Sequence, residues 1–273
     1  MDDDRITRHY SGGALLGAID AGLEQLGITP GSATIDDLAP VDEFHIGGRP
    51  ATWELCEQLG IDAATSVLDL GCGIGGTARY MATAFGCAVT GVDLTPEYID
   101  VARVLAERTG PTDRLAFETA SALSMPFQNA SFDRAVQLHV GMNVADKSGL
   151  FREVRRLLRP GGRFGIYDIM RVNDRAIEFP MPWATDAAMS FVEPVAVYRS
   201  ELVSAGFTIE SERNRGDFAT GFFQAVGARV AAGPPPLGLH VIMGDDAPTK
   251  VANMVAAVTG GIIAPVELVC TVA

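Results

Sequence analysis

Apolar and polar residues follow two rhythms along this chain. Short apolar runs rich in β-branched residues, near 65–70, 87–92, 115–119, 133–138 and 163–169, read as strands, and helically spaced sequence separates each from the next. Strands alternating with helices predict a parallel, doubly wound α/β sheet. Ahead of it, Leu15, Leu16, Ile19, Leu23 and Leu26 recur at three- and four-residue intervals, the stripe of a helix packed on a core. Beyond it, the pattern predicts a helix over 195–205, a sixth strand over 207–213, helices over 217–232 and 247–259 flanking Pro234-Pro235-Pro236, and a last strand over 265–272. Three regions follow: an N-terminal helical cap over 1–60, a core over 61–170, and a C-terminal part of the same domain over 171–273. Within the last, residues 171–194 hold Phe179, Met181, Trp183, Met189 and Phe191 among prolines. An aromatic stretch so placed is expected to be a lid, with Trp183 and Phe191 as its contacts.

Composition narrows the partners. A net charge of -13 argues against nucleic acid and against an anionic membrane surface, which leaves a small molecule as the expected substrate. No apolar run reaches the roughly 18 residues of a membrane helix, and the acidic start Met1-Asp2-Asp3-Asp4 is unlike a secretory signal, so the chain is expected to be cytoplasmic. Cys56, Cys72, Cys87 and Cys270 lack metal-ligand spacing; they are expected as buried thiols, with no metal site. Homo-oligomerisation is left open.

The chemistry concentrates after the first strand. Gly71, Gly73 and Gly76 satisfy G-x-G-x-x-G, which lets the backbone turn sharply and approach a ligand at a helix start. Asp69 stands just before them. A carboxylate there repels the pyrophosphate of a dinucleotide and attracts an ammonium or sulfonium, which favours S-adenosylmethionine over a nicotinamide cofactor. Asp93 follows Gly71 by 22 residues, near the offset at which an acid reaches a ribose diol.

Leu68 to Gly76 resembles the first motif of class I S-adenosylmethionine-dependent methyltransferases. Gly91-Val92-Asp93-Leu94-Thr95, Leu123-Ser124-Met125-Pro126-Phe127 with Ser131-Phe132-Asp133, and Leu158-Arg159-Pro160-Gly161-Gly162 resemble the family's later motifs, in its order. The resemblance implies a Rossmann-like sheet of seven strands with the last antiparallel, and S-adenosylmethionine held by Asp69, Gly71, Cys72, Gly73, Asp93 and Leu94, the last against the adenine. Many members carry an Asp after the third strand; here Ser121 and Ala122 occupy that place. Asp42 to Pro50 resembles the Gly-Gly segment of sarcosine and phosphoethanolamine N-methyltransferases, which implies that Ile46 and Gly47 close over the methionine end. Ligands bind beyond the carboxyl ends of such strands, so Gln137 and His139 are expected to face the transferred methyl group. His139, near its ordinary pKa, is the expected base, with Tyr10 and Tyr167 as secondary candidates. The implied activity is methyl transfer to a small-molecule acceptor, first an amine nitrogen and next a phenol or quinol oxygen or carbon; a cofactor-binding protein without turnover is the remote alternative.

Overall fold

The computed structural model describes residues 7, 14–230 and 235–273. Tyr10 and the start of the cap lie outside the described residues. The strands are β1 (Ser66–Leu70), β2 (Ala88–Asp93), β3 (Leu115–Thr119), β4 (Phe132–Leu138), β5 (Leu158–Arg171), β6 (Phe207–Asn214) and β7 (Ile263–Val272). They form one seven-stranded sheet in the order β3-β2-β1-β4-β5-β7-β6, with β7 antiparallel to both neighbours. The expected α/β architecture and its antiparallel last strand are both present. Between β1 and β4 the winding reverses direction, which opens a crevice at the carboxyl end of the sheet. Leu70 pairs with Val92 on one side and Gln137 on the other, so the loops after β1, β2 and β4 all leave at this edge.

Strand β5 begins earlier than its sequence suggests. Leu158 already pairs with Phe132, and a register break between Phe132 and Arg134 accommodates the Pro160-Gly161-Gly162 kink that reads as a turn in isolation.

Helices cover both faces. On one, α3 (Gly48–Leu59), α4 (Gly76–Phe85) and α5 (Pro96–Thr109) bury Leu55, Leu59, Met81 and Ile99 against Val67, Val89 and Val136. On the other, α6 (Lys147–Leu157) and α7 (Val195–Ser204) bury Leu150, Phe151, Val154 and Tyr198 against Leu68, Phe164 and Leu268. Helix α1 (Leu15–Gln25) turns Leu15, Ile19 and Leu23 inward as its spacing predicts, but Leu26, at the cap beyond its last turn, is exposed instead of packed. The next helix, α2 (Ile35–Asp42), starts at a capping box between Thr34 and Asp37. The insertion before β7 contains α8 (Gly216–Val230), α9 (His240–Met243) and α10 (Ala247–Thr259). Together α8, α10 and residues 177–192 form a separate apolar cluster around Trp183, Met181 and Ile263. All four cysteines are buried free thiols. No helix among the described residues is long and apolar enough to cross a membrane.

Candidate active site

The crevice is built by the glycine turn. Gly71, Gly73 and Gly75 all have left-handed φ, and a Cβ on Gly71 would lie 2.4 Å from the Val140 side chain, so the two loops meet only because that position is glycine. Asp93 fastens the turn: its Oδ2 accepts from the Gly73 amide at 3.0 Å and its Oδ1 from the Thr95 amide at 2.9 Å. A cavity of about 250 Å³ opens above, lined on one side by Gly71, Gly73, Asp93, Leu94, Ser121 and Ala122 and on the other by His139, Val140, Met142, Pro182, Trp183 and Met254. A smaller pocket of about 70 Å³ shares Phe44, Gly71, Gly73, Tyr98 and His139 with it and extends toward Asp42, His45, Cys72 and Thr77.

Asp42 lines this smaller end, whereas Asp69 and Glu43 line neither cavity. Asp69 is buried with Oδ2 unpartnered, and burial, with Asp93 and Glu43 nearby, pushes its carboxyl up to about 8. Burial likewise raises Glu43 to about 7, against the opposing pull of Arg49 and Arg79. Asp42 is raised to about 6 by burial although Arg79 lies 2.5 Å away; that guanidinium is fully buried and also donates to the Ile74 carbonyl. Surplus buried carboxylate favours a cationic ligand and disfavours a pyrophosphate.

His139 sits at the mouth of β4 in a left-handed conformation at φ 55, its amide donating to the Tyr167 carbonyl. Its ring stacks on Tyr167 at 5.3 Å and meets the His45 ring edge-on at 6.1 Å, while Nε2 is buried without a partner. Burial first, and His45 second, hold its pKa well below the ordinary value. The expectation of an imidazole near its ordinary pKa is therefore corrected: burial and the neighbouring His45 ring push His139 toward its neutral form. His45, also buried, is held down to about 4, with Nε2 at 3.0 Å from Thr52 Oγ1 and 3.1 Å from the Gly48 carbonyl.

Several expected site residues lie elsewhere. Gln137 is fully buried behind the loop, donating to Asp168 Oδ2 at 2.8 Å, because β4 alternates and turns this side chain away from the crevice. Ile46 packs into the Trp183 cluster, and Gly47 is the left-handed residue that starts α3, with the Phe218 ring where its Cβ would stand. The segment instead reaches the cavities through Phe44 and His45. Tyr167 lies behind His139, its unpartnered hydroxyl outside both cavities and its pKa raised by burial. Trp183 lines the cavity but is already 2% exposed, with its indole donating to Ser190 Oγ, and Phe191 does not line it. In this structure the stretch is packed as part of the cavity wall.

Sequence reading missed one buried polar group entirely. Asp168 Oδ2 accepts from Gln137, the Gly141 amide and Tyr198 Oη, each at 2.8 Å, and nearby Lys147, at a helix start, is 3% exposed. The available signal was Asp168 itself, a carboxylate inside the apolar run Phe164 to Met170.

This sheet order and glycine turn form a Rossmann-like fold with an antiparallel last strand, shared with solved methyltransferase structures. Residues 67–162 match the family described as methyltransferase domain. Among curated relatives, Methyltransferase GfsG of Streptomyces halstedii is 35% identical over 134 residues, 49% of this chain and 48% of that protein. The 27-O-demethylrifamycin SV methyltransferase of Amycolatopsis mediterranei is 32% identical over 163 residues, 59% of this chain and 60% of that protein. The chain thus spans about half the length of the curated relatives it matches. Among solved structures, geranyl diphosphate C-methyltransferase from Streptomyces coelicolor A3(2), in complex with Mg2+, geranyl diphosphate and S-adenosyl-L-homocysteine, superposes with a TM-score of 0.70 at 18% identity, over 100% of this chain and 98% of that one.

Proposed function

We propose that this protein transfers the methyl group of S-adenosylmethionine to an oxygen or carbon nucleophile on an uncharged, largely apolar small molecule. The residues present fit the cofactor. The Gly71 turn leaves room for close approach, Asp93 lines the cavity where ribose hydroxyls would meet it, and Asp69, which is buried and lines neither cavity, adds negative charge close to Asp93. Leu94, Ser121 and Ala122 line the stretch beyond Asp93, where the adenine would lie. When bound, the cofactor supplies an electrophilic methyl on a sulfonium leaving group that needs no acid to depart. The chain's own work is then to align the acceptor, exclude water and hold the acceptor's proton.

The observation that carries the acceptor class is the lining of the second half of the cavity. His139, Val140, Met142, Pro182, Trp183 and Met254 are apolar or neutral, and no lysine or arginine lines the cavity among the described residues. An acceptor bearing a carboxylate or phosphate would have to shed its hydration there without a counter-charge, a cost of several kcal/mol. This weighs against the sarcosine-type acceptor that the Gly-Gly segment suggests. His139, neutral and with Nε2 unpartnered, suits the task of accepting a hydrogen bond from an acceptor hydroxyl or enol. Asp93 and Asp146 on the lining also favour a neutral or cationic molecule over an anionic one. The relative described as a 27-O-demethylrifamycin SV methyltransferase supports an oxygen acceptor.

The test is a labelled-methyl transfer screen over matched pairs, each an apolar phenol, enol or alcohol offered as methyl ester and as free acid, alongside glycine, sarcosine and simple amines. Transfer to the neutral members is expected. Transfer confined to amino acids would overturn the reading.

A further inference from the structure

The loop after β4 makes much of the acceptor side of the cavity, contributing His139, Val140, Met142, Asn143 and Asp146, yet its shape is held from behind by two charges that never reach the cavity. They meet across one residue, Gly141. The Gly141 amide donates to Asp168 Oδ2 at 2.8 Å, and the Gly141 carbonyl accepts from Lys147 Nζ at 2.7 Å. No other residue type fits, because a Cβ at Gly141 would lie 2.2 Å from Asp168 Oδ2 and 2.3 Å from Tyr198 Oη. Each charge is otherwise saturated. Gln137 and Tyr198 fill the remaining approach to Asp168 Oδ2, and Lys147 spends its other two protons on the carbonyls of Val144 at 2.5 Å and Phe191 at 2.9 Å. Burial lowers the basicity of Lys147 while the Asp168 charge raises it, as expected of a cation held by its partner rather than by water.

The same fastening extends to the wall opposite. Phe191 donates its amide to the Met142 carbonyl at 2.8 Å, and the Asn143 side chain donates to the Trp183 carbonyl at 2.9 Å. Loop and wall are thus joined, with Lys147 bonded to both and Asp168 to the loop. The loop also holds His139 at positive φ, a conformation that persists in a non-glycine residue only when its surroundings over-determine it.

We propose that Lys147 and Asp168 are positioning residues: by gripping Gly141 from both sides they fix His139, Met142 and Trp183 relative to the acceptor, while leaving the cofactor half of the site to Asp69, Asp93 and the glycine turn. The inference that acceptor geometry is what they control rests on the methyl-transfer reading; that they hold the loop does not.

The experiment uses the full chain with Lys147→Met and, as the milder variant should that one fail to fold, Tyr198→Phe, which removes one donor to Asp168. S-adenosylhomocysteine affinity is measured by calorimetry, amide hydrogen exchange is followed for residues 139–147 and 71–76 with that ligand bound, and steady-state kinetics use the best acceptor from the screen. The expected result for Lys147→Met is exchange faster by about tenfold or more in 139–147 with 71–76 unchanged. Ligand affinity should stay within about twofold, and kcat/KM for the acceptor should fall roughly 10²-fold, with the cofactor KM unmoved. Tyr198→Phe should give the same pattern at smaller size. Uniform loosening of both segments with loss of ligand affinity, or unchanged exchange and acceptor kinetics in a folded variant, would overturn the proposal. A wild-type protein that binds the ligand and methylates nothing would sink the functional reading alone, leaving the exchange comparison to decide the clamp.

Discussion

Asp93→Ala separates a cofactor-binding carboxylate from a purely structural one. In the present geometry Asp93 holds the Gly73 amide at 3.0 Å and the Thr95 amide at 2.9 Å while it also lines the main cavity. Truncation removes whatever bonds it makes to a ribose diol, and it also frees the Gly73 amide that sets the height of the turn. One charge-assisted hydrogen bond to a hydroxyl is worth about 1.5 to 3 kcal/mol net, which is a loss of roughly 10- to 150-fold in affinity. Burial raises the Asp93 pKa, which takes back part of the gain from ionisation, so the lower half of that range is the expected one. Calorimetric titration with S-adenosylmethionine and S-adenosylhomocysteine should show both weakened alike, because both carry the same ribose. Asp93→Asn, keeping one oxygen, should lose less. Thermal unfolding supplies the control, since α5 starts within the same turn. A folded Asp93→Ala protein with unchanged affinity for both ligands would refute the assignment and leave Asp93 as a turn-fastening residue.

Three further outcomes follow from the site. Cofactor affinity should rise with pH between about 6 and 8: Glu43 and Asp69, raised to about 7 and about 8, bind protons in the free protein, and a cationic ligand favours their ionised forms, so binding expels protons and strengthens as they are lost. Calorimetry in buffers of different ionisation enthalpy measures that release, and Asp69→Asn should flatten the slope while weakening affinity. His139→Ala should leave cofactor affinity nearly intact and lower turnover by roughly 10²-fold; because burial depresses the His139 pKa, wild-type turnover should show no acidic limb near pH 6.5, and finding one there that His139→Ala abolishes would contradict the depressed pKa. In a Trp53→Phe background, Trp183 fluorescence and quencher access should be the same with and without ligands, since the indole is already buried and bonded to Ser190; ligand-induced protection would restore the lid.

The sheet was legible because its signals are local. Val67 to Leu70 is an apolar run that ends at a glycine turn, and Asp93 closes a second such run, so both sit at strand ends without any knowledge of distant contacts. What was illegible depends on partners far along the chain. Lys147 follows the α6 cap Asp146 and looks like any solvated helix start, yet it is buried because Phe191 and Gly141 bring their carbonyls to it. Gln137 appeared to face the crevice by proximity to His139, whereas strand alternation turns it toward Asp168. Trp183 looked like a lid because prolines break its segment; the cluster that buries it comes from α8, α10 and β7, remote in sequence. Even the His139 pKa was unreadable, since burial and the His45 ring set it.

The central claim is that this cavity joins a methyl donor to a neutral acceptor, and the most direct measurement follows both products at once. The protein is incubated with S-adenosylmethionine carrying a deuterated methyl group and the neutral acceptors of the matched panel, and S-adenosylhomocysteine and acceptor masses are read over time. The account predicts that label appears in a neutral acceptor in step with S-adenosylhomocysteine, one for one, and that His139→Ala slows both together. Tight cofactor binding with no label in any acceptor, or label only in molecules bearing a carboxylate, would contradict it.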